Sequence, residues 1–411
     1  MSKEYVLKEV EFWDGAMASS QALRQAEVDI MAAYPITPST PIIQNYADYL
    51  SNGYVDGEYI RTESEHAAMS ACVAASAAGA RVTTATSSQG FALMIEVLYQ
   101  ASGMRLPVVL NVANRALAAP LNVNGDHSDL YLGRDAGWIN LCTFNQQEVY
   151  DMTLMSFKIG EHKNVRLPVM VHQDGFICSH TAQNVAPLQD DVARKFVGDF
   201  EAVDSLLDFA RPVTYGAQTE EDWHFEHKAK QHKAIMDSIN VIEDTFEEFE
   251  KLTGRKYNAV ESYMMEDAEI AIVALGTTIE SSIEAARQLR EEGIKVGIVA
   301  PRVFRPFPYD KIADALKNVK AIGILDRSSP GGALGMLFNE VTAAIYTNDT
   351  KPVINNYIYG LGGRDTTIAD LKQIAKEIQA NADAGKLTTP VQQFSGLRGP
   401  KLSFFDMESS K

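Results

Sequence analysis

The stretch Val28-Asp29-Ile30-Met31-Ala32-Ala33-Tyr34-Pro35-Ile36-Thr37-Pro38 decides the fold. Its first six residues are a largely apolar run of strand length. Each proline then disfavours helix in the residue before it, so Tyr34 and Thr37 are held out of helix. Thr37 is therefore expected just beyond the carboxyl end of a strand. In parallel α/β sheets that edge binds ligands, because its loops leave a crevice lined by backbone groups and helix N-termini. The Pro-x-x-Pro spacing also suits a plain rigid turn, and this segment alone leaves both roles open.

Around it, from about Trp13 to His180, short apolar runs alternate with helical stretches, the pattern of strands and crossover helices in a parallel sheet. Strands are expected at Val28–Ala33, Tyr59–Arg61, Arg81–Thr86, Leu106–Val112 and Leu167–Gln173. The Ala-rich stretch Glu65–Ala78 is expected to be a helix, with Gly79 as its C-cap. Residues 1–210 read as one α/β domain. Residues 211–264 carry few strand signals and a long polar helical pattern, Lys228 to Leu252, and read as a surface helical connector. A second α/β domain is expected over 265–385, with strands at Glu269–Leu275, Lys295–Val299 and Ala321–Leu325. Residues 386–411 lack periodicity and read as an arm, mobile or laid across a partner subunit.

Composition narrows the function. With 411 residues, 46% of them apolar, the chain can bury large cores. Fifty-four acidic against 37 basic residues give a formal charge of -17, which repels nucleic-acid phosphates and anionic membrane surfaces. No run approaches the ~18 apolar residues of a membrane span, and the mixed-charge start lacks the apolar segment of a secretory leader. Cys72, Cys142 and Cys178 are too widely spaced for CxxC chemistry or for an iron–sulfur or zinc framework. The expectation is a cytoplasmic protein that binds neither nucleic acid nor membrane.

Several polar clusters fall where strands give way to helices. Thr62-Glu63-Ser64-Glu65-His66 places two carboxylates and a histidine at such a turn, and also matches a capping box with Thr62 as N-cap and Glu65 at N3. Thr86-Ser87-Ser88-Gln89-Gly90 suits a loop passing close to a polar ligand, and equally a helix cap; it is no Gly-x-Ser-x-Gly elbow. Arg115 follows a strand within the small, apolar segment Asn114–Pro120, where it suits either a ligand carboxylate or an interdomain or intersubunit salt bridge. Gly125-Asp126-His127-Ser128-Asp129 invites a metal, but the crowding suits turn chemistry too, and a mobile substrate-covering loop is the favoured reading. His224 and His227 can share a helix face, yet their charged neighbours favour a solvated or interface role. Gly331-Gly332-Ala333-Leu334-Gly335 lacks Gly-Lys-Ser/Thr and is no P-loop; close helix-to-strand packing explains it.

Taken together, Tyr34–Pro38, Glu63–Ala68, Thr86–Gly90, Asn114–Ala118, Gly125–Asp129 and Asp174-Gly175-Phe176 resemble, in order, the alpha subunit of pyruvate:ferredoxin oxidoreductase, within the thiamine-diphosphate-dependent 2-oxoacid:ferredoxin oxidoreductases. The resemblance covers about residues 13–385. It implies a pyrimidine-binding first domain and a second domain like the transketolase C-terminal domain. Glu65 then matches the carboxylate that hydrogen-bonds the aminopyrimidine and so promotes loss of the thiazolium C2 proton. Ser88 and Gln89 would line the cofactor, Thr37 and Arg115 would hold the substrate carboxylate, and Asp126 and His127 would lie in the covering loop. Pyruvate would be decarboxylated, its acetyl group passed to coenzyme A and its electrons to ferredoxin.

Gly125-Asp126-His127 departs from the Gly-Asp-Gly segment with which thiamine enzymes hold the diphosphate. With the missing cysteine clusters, this assigns diphosphate, Mg2+ and [4Fe-4S] clusters to partner subunits: a beta subunit, a gamma subunit and a ferredoxin-like delta subunit. No metal is expected on this chain. The rivals are another 2-oxoacid, such as 2-oxoisovalerate or 2-oxoglutarate, and a catalytically silent scaffold of an electron-transfer complex. A nicotinamide dehydrogenase is disfavoured because no Gly-x-Gly-x-x-Gly opens the first βα unit.

Overall fold

The structure, a computed structural model, describes residues 6–398. The chain begins with β1 (Glu11–Trp13), α1 (Gly15–Gln25), β2 (Ile30–Ala33), α2 (Thr40–Ser51), β3 (Glu58–Arg61), α3 (Glu65–Ala78), β4 (Val82–Thr86) and α4 (Ser88–Gly103). It continues through β5 (Val109–Asn114), α5 (Ser128–Gly133), β6 (Ile139–Cys142), α6 (Gln146–Glu161), β7 (Val169–Asp174), β8 (Gln183–Val185) and α7 (Asp190–Val197). The 33-residue α8 (Glu221–Thr253) leads to β9 (Val260–Tyr263), β10 (Ile270–Val273), α9 (Thr278–Glu291), β11 (Val296–Pro301), β12 (Val303–Arg305) and α10 (Tyr309–Leu316). The last elements are β13 (Ala321–Asp326), α11 (Met336–Ile345), β14 (Val353–Ile358), α12 (Ile368–Ala384) and β15 (Gln392–Phe394).

Two mainly parallel sheets organise these elements. The first has strand order β12-β6-β7-β5-β4-β2-β3, and the second β15-β14-β13-β10-β11-β9. Strands β4, β5 and β7 are buried along their length, as a sheet covered by helices on both faces requires. Separate apolar cores fill the two faces of the first sheet, one against α1 and α6, the other against α3 and α4. The second sheet is enclosed likewise, and one of its cores takes in Leu130, Tyr131 and Cys142 from the first unit.

Four expectations are revised. Thr62 does not cap α3: the N-cap is Ser64, whose hydroxyl accepts from Ala67 N, which leaves Glu65 as the first helical residue with a carboxylate free of capping duty. The stretch read as a surface connector is half core, because Ala234, Ile242, Phe246 and Phe249 follow one face of α8 into the first unit. Within that same stretch, β9 pairs antiparallel with β11. In the described part of the C-terminal arm, β15 pairs parallel with β14 and extends the chain's own second sheet; residues 399–411 lie outside the described residues.

The units are tied where the chain crosses between them. Strand β11 belongs to the second sheet and β12 to the first, and only Arg302 separates them. Its guanidinium is buried between Glu148 of α6 (2.8 Å) and Glu261 of β9 (2.5 Å), donates to the Asn258 carbonyl, and lies over the rings of Phe144 and Tyr257. Removing one partner of a buried ionic group strands the others without solvent. Arg302→Leu is therefore expected to lower unfolding free energy by about 3–5 kcal/mol, read as a fall in urea midpoint; a change under about 1 kcal/mol would show that the crossing carries little of the stability.

Candidate active site

The carboxyl ends of β2, β3, β4 and β5 bring Thr37, Glu65, Ser88 and Arg115 into one continuous set of contacts. Glu65, at the first position of α3, is only 7% exposed. Burial raises its pKa, offset in part only by its own backbone N–H. Among the described residues no other donor reaches this carboxylate. It lies instead against the backbone of α4: a Cβ on Gly90 would stand 2.4 Å from Glu65 Oε1, so glycine is the residue that admits the carboxylate there.

Two residues before Gly90, Ser88 adopts φ +48, a left-handed conformation that costs an L-residue energy unless its surroundings impose it. Its backbone N–H donates to Asp129 Oδ2 (2.8 Å), and its hydroxyl lies within hydrogen-bond reach of the Ala116 carbonyl and of Gln89 Oε1. From the neighbouring strand end, Arg115 N donates to the same Asp129 Oδ2 (3.0 Å). The Arg115 guanidinium donates to the carbonyls of Asn122 (3.0 Å) and Thr37 (2.9 Å). Thr37 and Arg115 thus meet, through the threonine backbone, while no protein group among the described residues engages the Thr37 hydroxyl. Arg115 is 6% exposed, has no carboxylate in salt-bridge contact, and its pKa is lowered by desolvation that Asp129 only partly offsets. A buried cation held by neutral carbonyls can still receive an anion.

Asp129 was legible only as a member of a crowded loop, yet it is the hub. It is fully buried, and its second oxygen takes Asn114 Nδ2 (2.7 Å) and Leu130 N (2.8 Å). Burial pushes its pKa up to about 6 despite these bonds. Asn114 is in turn oriented by His172, whose pKa burial lowers to about 3, so that its neutral ring accepts from the amide at Nδ1 (3.2 Å) and donates from Nε2 to Asn140 Oδ1 (2.9 Å).

The Asp126–His127 loop is not open. Both side chains are buried. His127 Nε2 contacts Asp174 Oδ1 (2.6 Å), while Asp174 Oδ2 receives Thr277 N (2.9 Å), the Thr277 hydroxyl and Arg327 Nη1 (3.1 Å). His127, Arg327 and Thr277 hold the Asp174 carboxyl well below the usual carboxylate range. Asp174 ends β7 in the first sheet, whereas Thr277 and Arg327 follow β10 and β13 in the second, so the loop is pinned in the seam between units. His224 and His227 stand apart, exposed on the first turns of α8. Among the described residues no group of three or more His, Cys, Asp or Glu side chains is arranged to hold a metal ion, and no helix is long and apolar enough to cross a membrane. The elements that carry the site also expose apolar side chains: Leu93 and Tyr99 on α4, Leu132 on α5, and Leu121 and Val123 after Arg115.

The fold is that of two solved proteins. A 2-oxoglutarate:ferredoxin oxidoreductase from Magnetococcus marinus aligns with TM-score 0.72 at 21% identity over 90% of this chain and 65% of that one. A split-gene transketolase aligns with TM-score 0.53 at 12% identity over 89% and 98%. These define the class as a two-unit α/β fold shared by 2-oxoacid:ferredoxin oxidoreductases and transketolases. Residues 21–247 match the thiamine-diphosphate-binding domain of pyruvate flavodoxin/ferredoxin oxidoreductases, and 268–371 match pyruvate:ferredoxin oxidoreductase core domain II. Pyruvate synthase subunit PorA of Thermotoga maritima is 44% identical over 93% of this chain and 97% of its own length, and ketoisovalerate oxidoreductase subunit VorA of Pyrococcus abyssi is 41% identical over 92% and 96%. The chain belongs to the pyruvate flavodoxin/ferredoxin oxidoreductase family.

Arg115, having no carboxylate partner, should contribute little to stability, unlike Arg302. Arg115→Met is expected to change the unfolding free energy of the chain by less than about 1 kcal/mol; a loss of 3 kcal/mol or more would make it a structural clamp.

Proposed function

We propose that this chain is the alpha subunit of a multi-subunit pyruvate:ferredoxin oxidoreductase. The complex would convert pyruvate and coenzyme A reversibly to acetyl-CoA and CO2, with electrons passing to ferredoxin. One observation carries the reading: a desolvated Glu65 carboxylate with no donor from another residue packs against Gly90, two residues from Ser88, and Ser88 shares the Asp129 carboxylate with a buried Arg115 that has no carboxylate partner. Glu65 lacks a donor and Arg115 an anion. An aminopyrimidine supplies the donor, and a 2-oxoacid supplies the anion.

When bound, thiamine diphosphate supplies the nucleophilic carbon and the electron sink that decarboxylation of a 2-oxoacid requires. Glu65 would hold a proton with the aminopyrimidine ring. Its raised pKa suits that exchange, because the neutral and ionised forms lie closer in energy than for an exposed glutamate. Gly90 keeps the space beside this carboxylate clear, and Ser88 and Gln89 would line the adjoining wall. The Arg115 guanidinium and the Thr37 hydroxyl would bind the substrate carboxylate, fixing its orientation before reaction. The Asp126–His127 turn would serve as a fixed wall of the pocket.

The aminopyrimidine half of a thiamine site fits these residues. The diphosphate half does not, since Gly125-Asp126-His127 departs from the Gly-Asp-Gly segment and the buried Asp126 carboxylate already accepts from Ser128 N (2.9 Å) and Gly362 N (3.4 Å). Mg2+ and the diphosphate would therefore sit on a beta subunit that also carries a [4Fe-4S] cluster, with gamma and ferredoxin-like delta subunits as further partners; the three cysteines here are buried and widely separated. The apolar side chains exposed on the elements that carry the site suit burial by such a partner. A second substrate, 2-oxoisovalerate, is favoured by relatives named for ketoisovalerate at 41% and 40% identity, close to the 44% of a pyruvate synthase subunit.

In the reconstituted complex, Glu65→Gln is expected to cut turnover of pyruvate by about 10²–10⁴-fold while the thermal midpoint stays within about 2 °C; retained turnover would favour a scaffold role. Thr37→Ala is expected to raise KM for pyruvate about tenfold, as loss of one hydrogen bond to a charged group implies, and an unchanged KM would return this loop to a structural role. Rates with pyruvate should exceed those with 2-oxoisovalerate and 2-oxoglutarate; the reverse order would reassign the substrate.

A further inference from the structure

The second α/β unit places none of its residues among the four at the strand ends, yet two hydrogen-bonded links join it to them. Arg327 and Thr277, on loops after β13 and β10, grip Asp174. Asp174 in turn holds the His127 ring, and the Arg327 carbonyl accepts from His127 N (2.8 Å), so this residue is fixed at both ends by the second unit. Two positions on, in the first turn of α5, Asp129 collects the backbone N–H groups of Ser88 and Arg115 on one oxygen. A Cβ on Gly276 would stand 2.7 Å from Asp174 Oδ2, so the second unit meets Asp174 in close packing; within the first unit one on Gly125 would stand 2.7 Å from the Gly175 carbonyl.

We propose that Asp129 is a positioning residue for the substrate-carboxylate pocket, and that the second α/β unit, through Thr277, Arg327, Asp174 and His127, sets where Asp129 stands. The inference rests on the proposed role of Arg115. Asp129 touches neither substrate nor cofactor. Its carboxylate fixes the peptide N–H of the residue whose guanidinium receives the substrate, and the N–H of Ser88, which holds a left-handed conformation at the mouth of α4. All four groups bonded to Asp129 are donors, so an amide in its place satisfies two of them at most and turns its own N–H groups toward the rest.

The test uses the reconstituted complex and four variants. Asp129→Asn is expected to raise KM for the 2-oxoacid at least tenfold, with KM for coenzyme A and kcat each within about threefold. Deuterium exchange at the reactive carbon of bound thiamine diphosphate, which needs no substrate carboxylate, should remain within twofold of the parent; Glu65→Gln should slow it. Thr277→Val, which removes only the hydroxyl bond to Asp174, is expected to shift KM for the 2-oxoacid in the same direction by two- to threefold, again without altering exchange. Arg115→Lys serves as the reference and should raise the same KM more than either. If Arg115→Lys raises KM but Asp129→Asn and Thr277→Val leave it within 1.5-fold, the positioning role is wrong and the proposed function stands. If Asp129→Asn lowers kcat, exchange and thermal midpoint together, Asp129 is merely structural and the proposal fails. Should Asp129→Asn not assemble, the KM of Thr277→Val decides alone. An unmoved KM in Arg115→Lys would overturn the carboxylate site itself, a failure distinct from the others.

Discussion

The site depends on one buried carboxylate accepting four N–H donors. Asp129 holds Asn114, Arg115, Ser88 and Leu130 at once, and these come from the ends of two adjacent strands, β4 and β5, and from α5 itself. A group so buried is costly to ionise, as its elevated pKa records, and four hydrogen bonds offset that cost only when the loops stand in one arrangement. The strained backbone of Ser88 persists because this arrangement over-determines it. Around the hub, the sheet leaves Glu65 and Arg115 desolvated without the partners that would satisfy them. Such unspent capacity marks a ligand site better than a satisfied ion pair does.

A second buried ionic group holds the larger frame. Arg302 stands where the chain leaves one sheet for the other, so its two carboxylate partners tie α6 of the first unit to β9 of the second. Asp174 makes a comparable tie on the side nearer the site. With core residues Leu130, Tyr131 and Cys142 packed into the second unit, the seam resembles an interior more than a hinge. The second α/β unit is accordingly described better as a buttress of the site than as an appendage.

Much of this was legible in the sequence where local rules and tertiary demands agree. The proline pair around Ile36–Thr37, the Ala-rich helix that ends at Gly79 and the apolar runs of β4, β5 and β7 all say locally what the fold requires globally. Thr37, Glu65, Ser88 and Arg115 each follow a strand, and that much position reading reached. Where the two levels part, sequence reading failed. Strand β14 carries Asn355 and Asn356, whose side chains are satisfied by Asn381 and Asp326, partners far along the chain. Strands β12 and β15 have three residues each, too few for a periodic signal. The cap of α3 moved from Thr62 to Ser64 because Thr62 instead donates its hydroxyl toward the Ala33 and Ser64 carbonyls. Asp129 was hidden by its neighbours: among Asp126, His127 and Ser128 its pattern reads as turn chemistry, and only the fold shows which carboxylate collects the N–H groups of the strand ends. Gly90 offered a usable signal, since a glycine in the first turn of a helix weakens it unless something must approach closely.

The central claim is that this chain holds the aminopyrimidine half of a thiamine site and leaves the diphosphate half to a partner. Equilibrium titration of thiamine diphosphate and Mg2+ into the purified chain, and into the chain assembled with its partner subunits, tests it most directly. The account expects weak or undetectable binding by the chain alone and stoichiometric, Mg2+-dependent binding by the assembly. Tight, Mg2+-dependent binding by the isolated chain would contradict it.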